Sequence, residues 1–284
     1  MNASPKVLRS VLYMPSSNAR ALEKAKTIPA DAIIFDLEDA VAPDAKEVAR
    51  EQACAAIASA EYGRRTLTIR CNGLDTAWGK ADLQAAVAVK PHAVVVPKVS
   101  GPDHLAQVVD VVGEATRIWA MVETPSAVFR VREIAAHPQV DVLVMGTNDL
   151  AKELRASLVP GRAPLLPHLA TALLAAREAG IEVLDGVYND VKDPEGFAAE
   201  ARQAFEMGFD GKTLVHPTQV EPANAVWAPS EADVDHARRV IGAFEEAERE
   251  GKGVVTVDGR MIENLHVENA RRTLATAEAI AALG

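Results

Sequence analysis

Aromatic residues are scarce in this sequence. Phe, Tyr and Trp make up 4% of its 284 residues, so a core must be built from Val, Ile, Leu and Ala. Cysteine is scarcer. Cys54 and Cys71 are too few for a disulfide framework and lie outside any metal-type spacing, as expected of reduced thiols in a cytoplasmic protein. No apolar run reaches the roughly 18 residues of a membrane span, so no membrane partner is expected. Residues 1–6 carry no hydrophobic segment of the kind a secretory signal needs. Positive charge is also in deficit: the net charge of −10 argues against nucleic acid as a general partner, which needs a basic surface. The seven histidines fall in no H-x-x-H or H-E-x-x-H pattern, which excludes the usual zinc sites. No G-x-S-x-G elbow is present to suggest a serine hydrolase.

What the chain has in quantity is alternation. Short apolar runs at 7–13, 31–37, 65–71, 92–98, 117–122, 141–145, 181–185 and 210–215 read as strands, and a helical stretch follows each one up to the last. The run at 31–37 is too continuously apolar for a one-sided strand and is expected to be buried on both faces. Leu105, Val108, Val109 and Val112 recur at helical spacing, as do Leu166, Leu169, Ala170, Leu173 and Leu174. Ser16, Ser17 or Asn18 is placed to cap a helix over 19–26, with Glu23 suited to a capping box. A further helix is expected around 128–136. Eight such units demand a parallel sheet with right-handed crossovers and are the number that closes a (β/α)8 TIM barrel. An open doubly wound sheet would usually carry a Gly-rich phosphate loop after its first strand, and 14–17 is not one. The expected organisation is a barrel domain over 1–228 and a C-terminal helical extension over 229–284. That extension should contain a helix at 231–250, a break with a short extended piece at 251–259, and a final helix from His266.

In such barrels the residues just past the strand ends share one ligand-binding rim. Here they are Glu38, Asp39, Arg70, Asn72, Lys98, Glu123, Asn148, Asp149, Asp185, Asn189 and His216. Carboxylates outnumber bases in that set, a repulsive arrangement unless a cation joins it. A hard ion such as Mg2+ takes oxygen ligands and keeps waters or substrate atoms in its remaining positions. Glu123 and Asp149, at the tips of the fifth and sixth strands, are the candidate metal ligands. Thr124 and Pro125 suffice to start the helix after Glu123, which leaves Glu123 without a structural task. Asp149 has a competing role as a helix N-cap, Glu38 and Asp39 as a solvated loop before Pro43, and Lys98 as surface charge. Arg70, at the end of a buried strand, is costly to bury unpaired.

The segments R-S-V-L-Y-M-P-S-S-N at 9–18 and F-D-L-E-D-A-V-A-P at 35–43 resemble the citrate lyase β-subunit-like family of CoA-ester lyases, related to malyl-CoA and citramalyl-CoA lyases and to the HpcH/HpaI aldolases. The resemblance continues through I-R-C-N at 69–72, V-P-K at 96–98, M-V-E-T-P at 121–125, G-T-N-D-L at 146–150 and H-P at 216–217. It implies a TIM barrel and Mg2+-dependent, reversible cleavage of a 3-hydroxyacyl-CoA thioester of the malyl, citramalyl or citryl type, giving acetyl-CoA or a related acyl-CoA and a 2-oxo acid. It also implies Glu123 and Asp149 as Mg2+ ligands, Glu123 and Arg70 at the substrate, Glu38 and Asp39 behind them, and Tyr13 and Lys24 near CoA. Asn18 stands where malyl-CoA lyases tend to carry an arginine. The family's acid–base aspartate, in a C-terminal G-x-M-I-D segment supplied by a neighbouring subunit, is matched by Glu263 in G-R-M-I-E at 259–263, an acid one methylene longer. A homotrimer is expected, with the extension packing on or capping a neighbouring subunit. Alternatives are a thioesterase acting on the same bound substrate and a citrate lyase β subunit that depends on an acyl-carrier partner. A plain exposed acid before the last helix remains the competing reading of Glu263.

Overall fold

The computed structural model describes residues 6–250 and 255–283. From the N-terminus the elements run β1 (Ser10–Pro15), α1 (Ala19–Ala25), β2 (Ala32–Asp36), α2 (Lys46–Ser59), β3 (Thr66–Arg70), α3 (Gly79–Val89), β4 (Ala93–Val96), α4 (Pro102–Val112) and β5 (Ile118–Val122). Then come α5 (Pro125–Phe129), α6 (Val131–Ala135), β6 (Val140–Met145), α7 (Thr147–Leu154), α8 (Leu166–Ala179), β7 (Glu182–Asp185), α9 (Pro194–Met207), β8 (Gly211–Leu214) and α10 (Val220–Trp227). The chain ends with α11 (Glu231–Glu250), β9 (Val255–Val257), β10 (Arg260–Ile262) and α12 (Asn264–Ala281).

β1 to β8 pair in sequence order, all parallel, and β1 closes onto β8 through Ser10↔Lys212, Val11↔Thr213 and Leu12↔Leu214. This is a TIM barrel. Strand residues alternate between the barrel interior and its helical coat. Leu8, Val11, Ala32, Ile34, Ala93, Val95, Trp119, Met121, Val142, Val144 and Leu184 fill the interior, with Tyr13 packed against them. All of β2 is buried, as its continuous apolar run requires. Asn18 caps α1 by accepting from the Ala21 amide at 3.1 Å, while Glu23 pairs with Lys26 instead of closing a capping box.

Two helices depart from expectation. The helix expected over 128–136 is broken at Arg130 into α5 and α6. An additional helix, α7, follows β6 directly.

The chain divides into two compact units, Leu8–Val226 and Met1–Val7 with Trp227–Gly284. In the second unit, Ala237 and Val240 of α11 pack with Val257, Ile262, Val267 and Ala270. Part of the expected break at 251–259 lies outside the described residues. The rest is a two-stranded hairpin whose turn residues Asp258 and Gly259 have φ of 52° and 78°, the left-handed pair an Asp-Gly hairpin turn favours. Glu263 follows the hairpin as the exposed N-cap of α12, and its amide donates to His266 Nδ1 at 3.0 Å.

Candidate active site

Inward-facing positions at the ends of β2, β3 and β5 carry charge. Asp36 ends β2 two residues beyond Ile34, Arg70 ends β3, and Glu123 lies two beyond Met121. Asp36 and Arg70 are register partners. Their side chains form a two-pronged pair, Nε to Oδ1 and Nη2 to Oδ2, both 2.7 Å. Both Asp36 oxygens accept a second bond, from the amides of Glu38 and Ala40, so the loop after β2 folds around this carboxylate. Arg70 Nη1 reaches Asp39 Oδ2 at 3.3 Å. It also lies 2.9 Å from Glu38 Oε2, close enough for charge attraction but angled so that Oε2 receives no hydrogen bond. The Tyr13 ring lies 4.7 Å from the guanidinium carbon, a cation–π contact. Burial alone would pull the Arg70 guanidinium down, and Asp36 overrides it, holding the charge firmly. Burial drives the Tyr13 phenol in the opposite sense, well above its ordinary range.

Lys98, just past β4, ties this group to Glu123. Its backbone is left-handed, with φ of 51°, and its amide donates to Glu123 Oε1 at 2.6 Å. Its ammonium reaches out to Glu38 Oε1 at 2.8 Å. Burial works against that ammonium, but Glu38 more than offsets it and lifts the pKa to about 12. Glu123 itself is 1% exposed. Burial first, then the negative charge of Glu38, push its pKa from the usual 4.5 to about 7, with Asp149 adding to the push and Arg70 opposing it. Gly146 makes the position possible: a Cβ there would sit 2.3 Å from Glu123 Oε2 and 2.4 Å from its Cβ. Glu38 is raised chiefly by burial, against the pull of Arg70 and Lys98.

Asp149 occupies the third position of α7 and is half-buried. The helix is capped by Gly146 without a side-chain bond, so Asp149 is not its N-cap. Among the described residues no hydrogen bond or ion pair engages its carboxylate. The structure therefore brings Tyr13, Glu38, Asp39, Arg70, Lys98, Glu123 and Asp149 to one end of the barrel. Lys24 sits apart on the exposed side of α1, its ammonium unpaired among the described residues. Glu263 belongs to the second unit.

Some rim candidates turn out to have other tasks. Asp185 is buried in the barrel wall, where Lys212 (2.7 Å) and Arg162 (2.6 Å) hold its two oxygens. His216 caps the short 3-10 turn Pro217–Gln219. Asn72 is a brace: it accepts from Lys46 at 2.8 Å and donates to Leu37 O and Asp82. Lys46 also donates to Leu37 O and Glu38 O, 2.7 Å each, and so fixes the acidic loop. Neither Asp36 nor Lys46 was singled out from sequence. Alternation was the available signal for Asp36, because a residue two past inward Ile34 must face inward too.

The donor set suits a hard divalent cation. Glu123 keeps one oxygen beyond its bond to Lys98, Asp149 keeps both, and the surrounding carboxylates leave the pocket short of positive charge. Among the described residues no three acid, imidazole or thiol side chains converge as a closed cage, so further positions would fall to water or substrate oxygens.

Residues 9–217 match the HpcH/HpaI aldolase/citrate lyase family, and residues 163–281 match the C–C bond lyases of the TIM-barrel fold. The chain belongs to this family. It is 54% identical over 274 residues to a (3S)-malyl-CoA thioesterase of Cereibacter sphaeroides, covering 96% of both chains. It is 37% identical to citrate lyase subunit beta of Escherichia coli, covering 95% of this chain and 93% of that one. Among solved structures, CitE of Mycobacterium tuberculosis in complex with magnesium, acetoacetate and coenzyme A superimposes with a TM-score of 0.78 at 29% identity, covering 95% of this chain and 97% of that one. Family membership makes this an enzyme of the CoA-ester lyase and thioesterase class. Among the described residues no helix is long and apolar enough to cross a membrane.

Proposed function

We propose that the chain hydrolyses a malyl-type CoA thioester with the help of Mg2+ held by Glu123 and Asp149. The observation that carries this reading is the buried Glu123 carboxylate, held near neutrality in its pKa by burial and Glu38, beside an Arg70 guanidinium that Asp36 keeps charged. Such a pair recognises an oxygen-rich acid and waits for a cation. The resemblance to a malyl-CoA thioesterase over 96% of both chains supports the thioester and the hydrolytic outcome. When bound, Mg2+ would supply Lewis-acid polarisation of the chelating oxygens.

The residues of the chain do the rest. Asp36 fixes the plane of Arg70, so the guanidinium meets the substrate already oriented. Its positive charge then stabilises the negative charge that grows on the thioester oxygen. The Lys98 amide fixes one oxygen of Glu123 and leaves the other to act. Glu263 of a neighbouring copy takes the proton from the attacking water as the C–O bond forms, and the C–S bond breaks to release the CoA thiolate, which is reprotonated from water. Tyr13 and Lys24 are assigned to the CoA side.

Carbon–carbon cleavage is the second reading, favoured by the match of residues 163–281 to C–C bond lyases and by the citrate lyase relatives. There the substrate hydroxyl gives its proton to Glu263 of a neighbouring copy, the bond between the hydroxyl-bearing carbon and the α-carbon of the thioester breaks, and the acetyl-CoA enolate takes a proton back at that α-carbon from Glu263. Incubation with Mg2+ and (3S)-malyl-CoA separates the two. Malate with free CoA thiol marks hydrolysis, and glyoxylate with acetyl-CoA marks cleavage. Formation of neither would sink both readings and point to a chain that needs an acyl-carrier partner. The proposed assembly is a homotrimer in which the C-terminal unit serves a neighbouring copy.

A further inference from the structure

We infer that Asn148 and Asn189 form an amide clasp that positions Asp149 for a divalent cation. The inference rests on the reading of Glu123 and Asp149 as cation ligands.

Asp149 has no bond of its own among the described residues to set its direction. Its aim depends on how the first turn of α7 is seated, and the Gly146 cap adds no side-chain bond. The base of that turn is held to β5 by the Gly146 amide, which donates to Val122 O at 3.1 Å, and two further contacts that seat the turn come from the segment after β7. Gly186 lies against Thr147, the first residue of α7, so closely that a Cβ on Gly186 would meet Thr147 Oγ1 at 2.3 Å and Cγ2 at 2.6 Å. Asn148, the next residue, faces Asn189 in a reciprocal pair: Asn148 Nδ2 donates to Asn189 Oδ1 at 3.1 Å, and Asn189 Nδ2 donates to Asn148 Oδ1 at 2.7 Å. The support beneath is anchored in turn. Lys212 Nζ, fully buried, donates to Gly186 O at 2.5 Å and to Asp185 Oδ2 at 2.7 Å.

The residue type matters. A primary amide carries both a donor and an acceptor, so two amides facing each other satisfy one another without charge. A carboxylate at either position would add to the negative field already set by Glu38, Glu123 and Asp149. A shorter or apolar side chain would free the first turn of α7 from the segment after β7. Asn148 and Asn189 are exposed, so their removal leaves the core untouched.

Mn2+ serves as the probe, titrated into the metal-free full-length protein and followed by electron paramagnetic resonance of the free ion. Melting temperatures are recorded in EDTA alongside. Wild type should bind and Glu123→Ala should not. Asn189→Ala and Asn148→Ala should each weaken Mn2+ binding about tenfold, the lower end of what partners of metal ligands contribute. The double variant should be no weaker than either single one, because both break the same pair. Melting temperatures in EDTA should stay at the wild-type value, which a merely structural role would not allow. Wild-type affinity in Asn189→Ala would overturn the clasp while leaving the Glu123 and Asp149 assignment standing. A loss confined to Asn148→Ala would overturn it as well, since Asn148 would then act alone. A wild-type protein that takes no Mn2+ would remove the ligand assignment itself and the clasp with it.

Discussion

Replacing Glu123 by Gln should make the metal-free protein more stable at neutral and alkaline pH. Glu123 is buried beside Glu38, and its pKa moves from the usual 4.5 to about 7. Between those values the native state holds a proton that the unfolded chain has released, so stability falls as pH rises through that window. Below pH 4.5 the group is neutral in both states and contributes nothing, and above pH 7 the deficit is complete. The shift amounts to about 3 kcal/mol at 1.36 kcal/mol per pH unit. For a domain of this size that corresponds to roughly 6 to 12 °C in melting temperature. Glutamine keeps the carbonyl oxygen that accepts the Lys98 amide, so the comparison isolates charge. The assay is a series of thermal melts in EDTA from pH 4.5 to 8.5. The two proteins should agree at the acid end and diverge above pH 6, with Glu123→Gln ahead. Mg2+ should raise the wild type at pH 8 and leave the variant unmoved. Coincident curves across the whole range would refute the claim that Glu123 is strained by its own charge.

Other perturbations test the rest of the site. Asp36→Ala strips Arg70 of its two-pronged partner while leaving the guanidinium buried, and should cost about 3–5 kcal/mol in urea unfolding. Lys212→Met leaves Asp185 buried with only Arg162 and should cost a similar ~3–5 kcal/mol in urea unfolding. Glu263→Gln should lower kcat sharply while Mn2+ affinity stays at the wild-type value, and an unchanged kcat would place the proton transfer elsewhere.

The barrel was legible because each strand is a short apolar run closed off by a helix, and the observed strand ends lie close to the edges of those runs. The two misread helices have local causes. In α7 the first turn is Gly146-Thr147-Asn148-Asp149, a polar opening that looks like a turn until the buried Leu150 and Ala151 are seen. The α5–α6 break at Arg130 leaves no mark in the hydrophobic spacing. At the site, position at a strand end does not tell facing: Asp185 follows inward Leu184 and so faces the helical coat. The same alternation points Asp36 inward, two residues past Ile34. Contacts such as the Lys98 amide on Glu123 depend on a left-handed backbone that nothing in the residue type at 98 announces.

The residues gathered at the barrel mouth span positions 13 to 149 and are drawn from six consecutive strands, β1 to β6. Asp36 and Arg70 meet as soon as β2 and β3 pair, but the full set is assembled only when β1 through β6 lie side by side. Such pairings between distant parts of the chain come late in folding. The proposed cation site would therefore be a property of the finished barrel, and an ion bound there would favour the native state over every partly folded one. If Glu123 and Asp149 hold the ion as proposed, metal supply during synthesis should then govern how much of the protein reaches the native state.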